Sequence, residues 1–360
     1  MDQVAHAPLR AAPTVVPTPG SPRDTLGSAL PLRARRGGAL LAVLWLSAAL
    51  SAIAFSVATT VRGEVERSAT ATDGLKSYFL ARGAIERTLL WIMWSEQYRN
   101  PDGSYRYYTP GTRALTLQFP AGVVDVRLIP EAAKLNVNTI RPEELFALLA
   151  ALGAPPERAR VITAGILDWR TPAPQGITEF DQYYLTRVPT FLARHASIEE
   201  IEEVLNVRGM TPELFHGTWD RDRDGKLIPR AGLKDCLSAY SGGAQVDVNS
   251  AQPETLLALG LPPDAVFAIT QARRIAPFQN NDQLRFLTAQ LGPLAGRLFA
   301  GMGSIVTIRA TARMRLPNGQ LSDMKRTVAA VVKLAPSTRD APYHVIRWYD
   351  QAGMQPGELQ

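Results

Sequence analysis

The chain has 360 residues, 46% of them hydrophobic, and a formal net charge of +6 from 39 basic and 33 acidic side chains. That length allows one or two domains, and that apolar fraction excludes general disorder. The single cysteine, Cys236, excludes an intramolecular disulfide framework and a cysteine-rich zinc site. Basic and acidic residues are interspersed, without the dense Lys/Arg run that a nucleic-acid footprint requires.

Residues 1–30 are rich in Ala, Pro, Thr and Ser and read as a disordered leader. Arg33, Arg35 and Arg36 follow, and then a run from Gly38 to Val61 without a charged residue. Its length, about 24 residues, suffices for a helix to cross a hydrocarbon core of roughly 30 Å. The basic cluster places residues 1–36 in the cytoplasm and everything beyond Val61 outside. Gly37-Gly38 stands between the basic cluster and the apolar run. This arrangement resembles the leader of type IV prepilins and pseudopilins, which a dedicated peptidase cuts after a glycine. The resemblance implies cleavage after Gly37, with Gly38 as the first mature residue and the apolar run retained. A secretory signal peptide would have a shorter apolar run, roughly 7–15 residues; an uncleaved signal anchor is the plain alternative.

Val61 to Trp94 lacks proline, and Leu75, Phe79, Leu80, Ala84, Ile85, Leu89 and Ile92 recur at spacings of three and four. That pattern continues the membrane helix into an amphipathic one. Asn100-Pro-Asp-Gly-Ser is a turn. Three β segments are expected after it, Tyr105–Thr109, Ala114–Phe119 and Val123–Ile129, the last two joined by a hairpin at Pro120-Ala-Gly.

From Pro130 the chain becomes helix-rich and repeats itself. Leu135-Asn-Val-Asn-Thr-Ile-Arg-Pro-Glu-Glu-Leu aligns with Val246-Asp-Val-Asn-Ser-Ala-Gln-Pro-Glu-Thr-Leu. In each copy Asn138 or Asn249, or the neighbouring Thr139 or Ser250, is expected to cap a helix that starts at Pro142 or Pro253. Each helix stops near a glycine, Gly153 or Gly260, and a second follows, Arg158–Asp168 or Asp264–Arg274. Such pairs resemble helix-hairpin-helix or SAM-like units. A DNA-binding hairpin wants free amides and Lys/Arg; these hairpins carry Pro-Pro followed by an acid, so a protein–protein scaffold is favoured.

Between the copies lie Asp168-Trp-Arg-Thr-Pro, Gly176-Ile-Thr-Glu-Phe-Asp-Gln-Tyr-Tyr, Ser197-Ile-Glu-Glu-Ile-Glu-Glu-Val-Leu and Val207-Arg-Gly-Met-Thr-Pro-Glu. With the two Asn-rich repeats, this ensemble resembles the minor pseudopilin K family of the type II secretion system, from Gly37 to about Leu334. The resemblance implies a calcium site in the helical insertion, with Asp168, Glu179 and Asp181 at the matching positions. The family usually has another acid soon after Asp-Trp, where this chain has Arg170-Thr-Pro. Asp220, Asp222 and Asp224, with Gly225, open like a calcium loop, yet Ala231 stands where a bidentate Glu is expected. A solvated turn and a metal site are both open there.

After Gly303, Ser304–Leu316 and Met324–Leu334 alternate as a hairpin around Pro317-Asn-Gly, and His344–Tyr349 forms a last strand. The expected fold class is α+β: a transmembrane, pilin-like long helix with an antiparallel sheet, interrupted by a large all-α insertion of two SAM-like units. The expected divisions are a cleaved leader (1–37), a transmembrane helix (38–61), a first pilin-like part (62–130), two helical units (131–240 and 241–300) and C-terminal strands (301–350).

Catalytic signatures are missing: His6, His195, His216 and His344 have no metal spacing, and Cys236 reads as a small buried residue. Pilins carry Glu at mature position five, where it offsets a neighbour's N-terminal amine; this chain has Ala42. The resemblance therefore implies a non-enzymatic minor pseudopilin of the inner membrane, with its bulk in the periplasm, at the tip of the pseudopilus that exports folded proteins. Minor pseudopilins I and J and the prepilin peptidase are the implied partners, and no nucleic acid. Calcium is the one cofactor raised. A membrane-anchored DNA-uptake receptor and an uncleaved periplasmic scaffold are the other readings.

Overall fold

The computed structural model describes residues 38–95, 97–222, 224–242, 244–284, 291–335 and 342–352. The leader and the expected cleavage position Gly37 lie outside the described residues. The chain divides into two compact units, one ending at Glu66 and one starting at Arg67.

Helix α1 runs from Gly38 to Trp94. Its portion in the first unit is long and apolar enough to cross a membrane. Leu40, Trp45 and Phe55 on it are all exposed. Exposed apolar side chains of this kind fit a membrane anchor.

In the second unit, β1 (Ala114–Phe119) and β2 (Gly122–Pro130) open an antiparallel sheet. The chain then leaves it. Next come β3 (Leu135–Asn136), α2 (Pro142–Ala151), α3 (Pro156–Arg170), α4 (Glu179–Leu185) and α5 (Pro212–His216). A hairpin of β4 (Thr218–Arg221) and β5 (Leu227–Arg230) leads to α6 (Leu233–Cys236) and β6 (Leu237–Ser238). The second copy comprises β7 (Val246–Asp247), α7 (Pro253–Ala258), α8 (Pro263–Ile275) and β8 (Leu298–Phe299). Strands β9 (Ile305–Arg315), β10 (Leu321–Leu334) and β11 (Tyr343–Tyr349) complete the sheet in the order β1-β2-β9-β10-β11.

The insertion is tolerated because its two ends are neighbours. Pro130, the last residue of β2, pairs with Val306 in β9. Closing a long excursion between adjacent strands costs little beyond what a short loop costs, since closure entropy grows only slowly with length. Each copy also closes on itself: β3 pairs in parallel with β6, and β7 with β8.

Two cores result. In the head, Ala81, Ala84, Ile85 and Leu89 of α1 pack on Val126, Leu128, Ile308, Ala310, Val328 and Ala330. Alanines on both sides let helix and sheet approach closely, and burial of Ile85 and Leu89 contributes about 1.5–3 kcal/mol each. The insertion has its own core, built around Leu145, Leu148, Ile162, Ile166, Trp169, Tyr184, Phe215 and Leu256. Glu131 ties the two together by accepting from Ser238 and Thr307, and Arg113 pairs with buried Asp247 at 3.0 Å.

Two expectations change. Leu75 and Phe79 remain more than half exposed: Leu75 precedes Ser77, the first buried residue of α1, and Phe79 stands on the helix face opposite the one that Ser77, Ala81, Ala84, Ile85 and Leu89 bury. Tyr105–Thr109 is not a strand; only Tyr105 makes a bridge, to Arg99. The aromatics there are captured by the end of α1 instead: Tyr107 lies against Trp91, Trp94 and Tyr98 at 5.8–6.2 Å between centroids.

Candidate functional site

The two repeats fold as matched devices, and their asparagines do not cap helices. The N-cap positions of α2 and α7 are Arg141 and Gln252, not Asn138, Thr139, Asn249 or Ser250. Asn138 reaches across to a distant strand-like segment. Its Nδ2 donates to the Ile198 carbonyl at 2.9 Å and its Oδ1 accepts the Ile198 amide at 2.7 Å. Asn249 clamps Phe278 in the same way, at 2.8 Å for both bonds. A planar amide offers one donor and one acceptor side by side, so it can complete an extended residue as a neighbouring strand would. Thr139 and Ser250 lie in the turns behind, where Thr139 donates its amide to Asn136 and Ser250 to Asp247.

An arginine completes each device. Arg170 donates to the carbonyls of Val137 and Ile140, and Arg273 to those of Val248 and Ala251. Arg170, which departs from the family pattern after Asp-Trp, is thus the counterpart of Arg273. Burial lowers both guanidinium pKa values from the ordinary range. The helices end as expected at Gly153 and Gly260, with φ of 87° and 91°, where the amides of Ala154 and Leu261 return to Leu149 and Leu256.

The acidic element sits between α3 and α4. Thr178 caps α4, accepting the Asp181 amide at 3.2 Å while its own amide donates to Asp181 Oδ2 at 3.1 Å. Asp181 is 2% exposed. Its Oδ1 accepts the Ala193 amide at 2.9 Å, and its Oδ2 also accepts His195 Nε2 at 2.7 Å. The other ring nitrogen, Nδ1, lies 3.1 Å from the Asp168 carbonyl and 3.3 Å from that of Thr171. Asp168 Oδ2 accepts the Thr178 hydroxyl at 3.3 Å.

Burial alone would raise the pKa of Asp181, but the Thr178 amide, His195 and the Ala193 amide hold it below the usual carboxylate value. Asp168 is raised, first by burial, against the Thr178 hydroxyl and His195. Burial would lower His195, but its bonds to Asp181 and to the Asp168 carbonyl, together with both carboxylate charges, raise it.

Of the three carboxylates expected together, the fold joins Asp168 and Asp181 and leaves out Glu179, whose side chain is 86% exposed, 3.9 Å from Arg208. His195 and Thr178 were not foreseen; the distance in sequence from Asp181 to His195 hides that pair. A calcium ion needs 6–8 oxygens at about 2.3–2.6 Å. Both oxygens of Asp181 already face N–H donors, so these residues do not fit it. Among the described residues no group of three or more His, Cys, Asp or Glu side chains is arranged to hold a metal.

The second acidic stretch is a β-hairpin. Asp222 Oδ1 accepts the amides of Asp224 and Lys226 at 3.0 and 2.8 Å, and Asp220 lies 3.9 Å from Arg230. Asp222 builds and Asp220 flanks a turn between strands, where the loop of an EF-hand would be flanked by helices. Cys236 is fully buried and burial pushes its thiol up to about 12, so it is inert.

Glu203 anchors the aromatic wall behind the cluster. It accepts Trp169 Nε1 at 3.0 Å, the amides of Glu199 and Glu200 at 2.9 and 3.1 Å, and Arg194 at 3.2 Å. Burial would raise its pKa, yet these donors hold it below the ordinary value. A depressed carboxylate stabilises the fold above its ordinary pKa, about 4.3. That contribution is lost as pH falls through the folded-state value. Acid titration followed by tryptophan fluorescence is expected to show the insertion loosening below about pH 4. Glu203→Gln should be less stable at neutral pH and show a shallower acid dependence; an unchanged acid profile would contradict this role.

The architecture is that of a pilin-like protein: an apolar N-terminal helix continuing into an α+β head with an antiparallel sheet. Comparisons with known proteins specify it further. Residues 125–217 match the family model "Type II secretion system (T2SS), protein K". The chain is 24% identical over 258 residues to the type II secretion system protein K of Klebsiella pneumoniae, covering 67% of this chain and 74% of that protein. It also superposes on a chain in the crystal structure of the GspK-GspI-GspJ complex from the enterotoxigenic Escherichia coli type 2 secretion system. There the TM-score is 0.53 at 17% identity, covering 80% of this chain and 100% of the other. The resemblance to the protein K minor pseudopilins holds at the levels of family model, sequence and fold.

Proposed function

We infer that the chain serves as a minor pseudopilin of type II secretion, seated at the tip of the pseudopilus that exports folded proteins across the outer membrane. The observation that carries this is a pilin-like head whose sheet is split between β2 and β9 by a helical insertion, behind an apolar helix with no acid in its first turn. With Ala42 at the position of the pilin Glu, the subunit cannot offset the amine of a subunit ahead of it in an apolar bundle, where an unpaired charge is costly. A tip subunit has none ahead, and the bulk of the insertion blocks addition there. Gly38–Val61 would then span the bacterial inner membrane with the head in the periplasm. The two helix pairs act as SAM-like scaffolds, in a protein with a structural rather than an enzymatic task. Since the Escherichia coli relative is solved as a complex with GspI and GspJ, minor pseudopilins I and J are the expected partners, and a prepilin peptidase the processing enzyme.

The DNA reading gains no support. Pro155-Pro156 and Pro262-Pro263 enter α3 and α8, so the amides that would hold a phosphate are missing, and Glu157 and Asp264 stand in the first turns.

The test is the N-terminal sequence and mass of the chain isolated from membranes of cells with and without an active prepilin peptidase. A start at Gly38 only where the peptidase is active is expected. An unprocessed N-terminus in both strains would sink the assignment.

A further inference from the structure

We propose that the imidazole of His195 fills the position between Asp181 and the carbonyls of Asp168 and Thr171 that a divalent cation would need, so that the insertion closes without calcium. The proposal concerns the insertion alone and does not depend on a place at a pseudopilus tip.

The geometry leaves little alternative. Nε2 lies 2.7 Å from Asp181 Oδ2, and Nδ1 lies 3.1 and 3.3 Å from the carbonyls of Asp168 and Thr171. Every one of those partners is an oxygen, the donor set a hard cation selects. The ring sits where such an ion would make its bonds, and it bridges the end of α3 to the first turn of α4 as an ion would. The remaining Asp181 oxygen is taken by the Ala193 amide, and one oxygen of the Asp168 carboxylate by the Thr178 hydroxyl. Glu179, the third acid of the element, points to solvent.

The backbone is consistent with this placement. Among the described residues His195 is the one non-glycine with positive φ, at 49°. That left-handed conformation is unfavourable for a residue with a side chain, and histidine is among those found there more often than most. It persists where surrounding contacts over-determine it. Here the ring's bonds at both nitrogens do so, and the Ala193 amide fixes the preceding segment on the same carboxylate. Asp181 thus acts as the hub of a hydrogen-bonded cluster that is complete from the chain's own atoms. A calcium ion could enter only by displacing the ring.

The experiment uses the full-length protein in detergent, with calcium chloride as titrant in calorimetry and thermal unfolding in excess EGTA or millimolar calcium. The wild type is expected to show no binding heat and the same Tm in both. His195→Ala is expected to lower Tm by about 5 °C, through loss of a charge-assisted bridge. If His195→Ala yields no folded protein, His195→Gln, which retains one donor toward Asp181, should show a smaller fall. Saturable calcium binding by the wild type, abolished in Asp181→Asn, would overturn the proposal. So would a folded His195→Ala or His195→Gln variant as stable as the wild type.

Discussion

Asn138→Ala is expected to destabilise the insertion by about 3 kcal/mol. The side chain holds both polar groups of the Ile198 backbone, at 2.9 and 2.7 Å, and Ile198 is 2% exposed. Alanine would leave a buried N–H and a buried carbonyl without their partner, and each such group costs roughly 1–3 kcal/mol. The loss is larger than for an ordinary cap, which is typically worth about 1 kcal/mol, because water cannot substitute at a buried position. Asn138 also positions the residues just after Ile198: Glu199 and Glu200 donate their amides to Glu203, which holds Trp169. Urea unfolding monitored by tryptophan fluorescence would measure the loss directly. The clamp at Asn249 shares no partner with the first, so the double variant Asn138→Ala, Asn249→Ala should show additive costs within about 0.5 kcal/mol. A cost near 1 kcal/mol for Asn138→Ala would mean that the bond behaves as an exposed cap does.

Local periodicity made much of the head legible. The alternation of Val124, Val126 and Leu128 reappears as their burial in β2, and the proline-free stretch to Trp94 ends α1 at that residue. Positional burial was less legible, since Leu75 and Phe79 share the three-and-four spacing, but Leu75 precedes the first buried residue of α1 and Phe79 falls on the helix face away from the sheet. Tyr105–Thr109 has β-forming residues, and nearby aromatics on α1 overrode that preference. The repeat itself stood out, but not its mechanism. Asn in front of Pro-Glu is a cap signature, and only the fold brings Ile198 and Phe278 to the two amides. Arg170 and Arg273 escaped alignment because the first copy is longer twice over: its leading helix has 10 residues against 6, and its second helix runs on to Arg170, four residues further from its starting proline than Arg273 is from Pro263. The His195 bridge was the least legible, since a lone histidine in a loop carries no spacing signal and its partners come from two other segments, the end of α3 and the first turn of α4.

Gly232→Ala is expected to cost more than about 3 kcal/mol, for reasons of space alone. Gly232 has φ −107° and ψ 174°, an extended conformation that any residue adopts. A Cβ there would lie 2.2 Å from the Gly217 nitrogen, 2.4 Å from the Phe215 carbonyl oxygen and 2.5 Å from the His216 carbonyl carbon. All three are backbone atoms, so no side-chain rotation relieves the overlap. The closeness follows from topology. Gly217 ends α5, the β4–β5 hairpin leaves and returns, and Gly232 starts α6, so the two glycines meet at the hairpin's base, just beyond the Thr218–Arg230 pair. Separating them would pull Phe215 on one side and Leu233 with Cys236 on the other, all fully buried in the insertion core. Gly225→Ala at the hairpin's tip is the control: φ there is +78°, but nothing lies within 4 Å of the added carbon. Only the left-handed backbone is penalised, by roughly 1–2 kcal/mol. Denaturation midpoints of the two variants therefore separate overlap from backbone strain. Equal losses at both positions would show that the insertion can open at the base of the hairpin, whereas a far larger loss at Gly232 places that backbone contact among the constraints that hold α5 and α6 in the core.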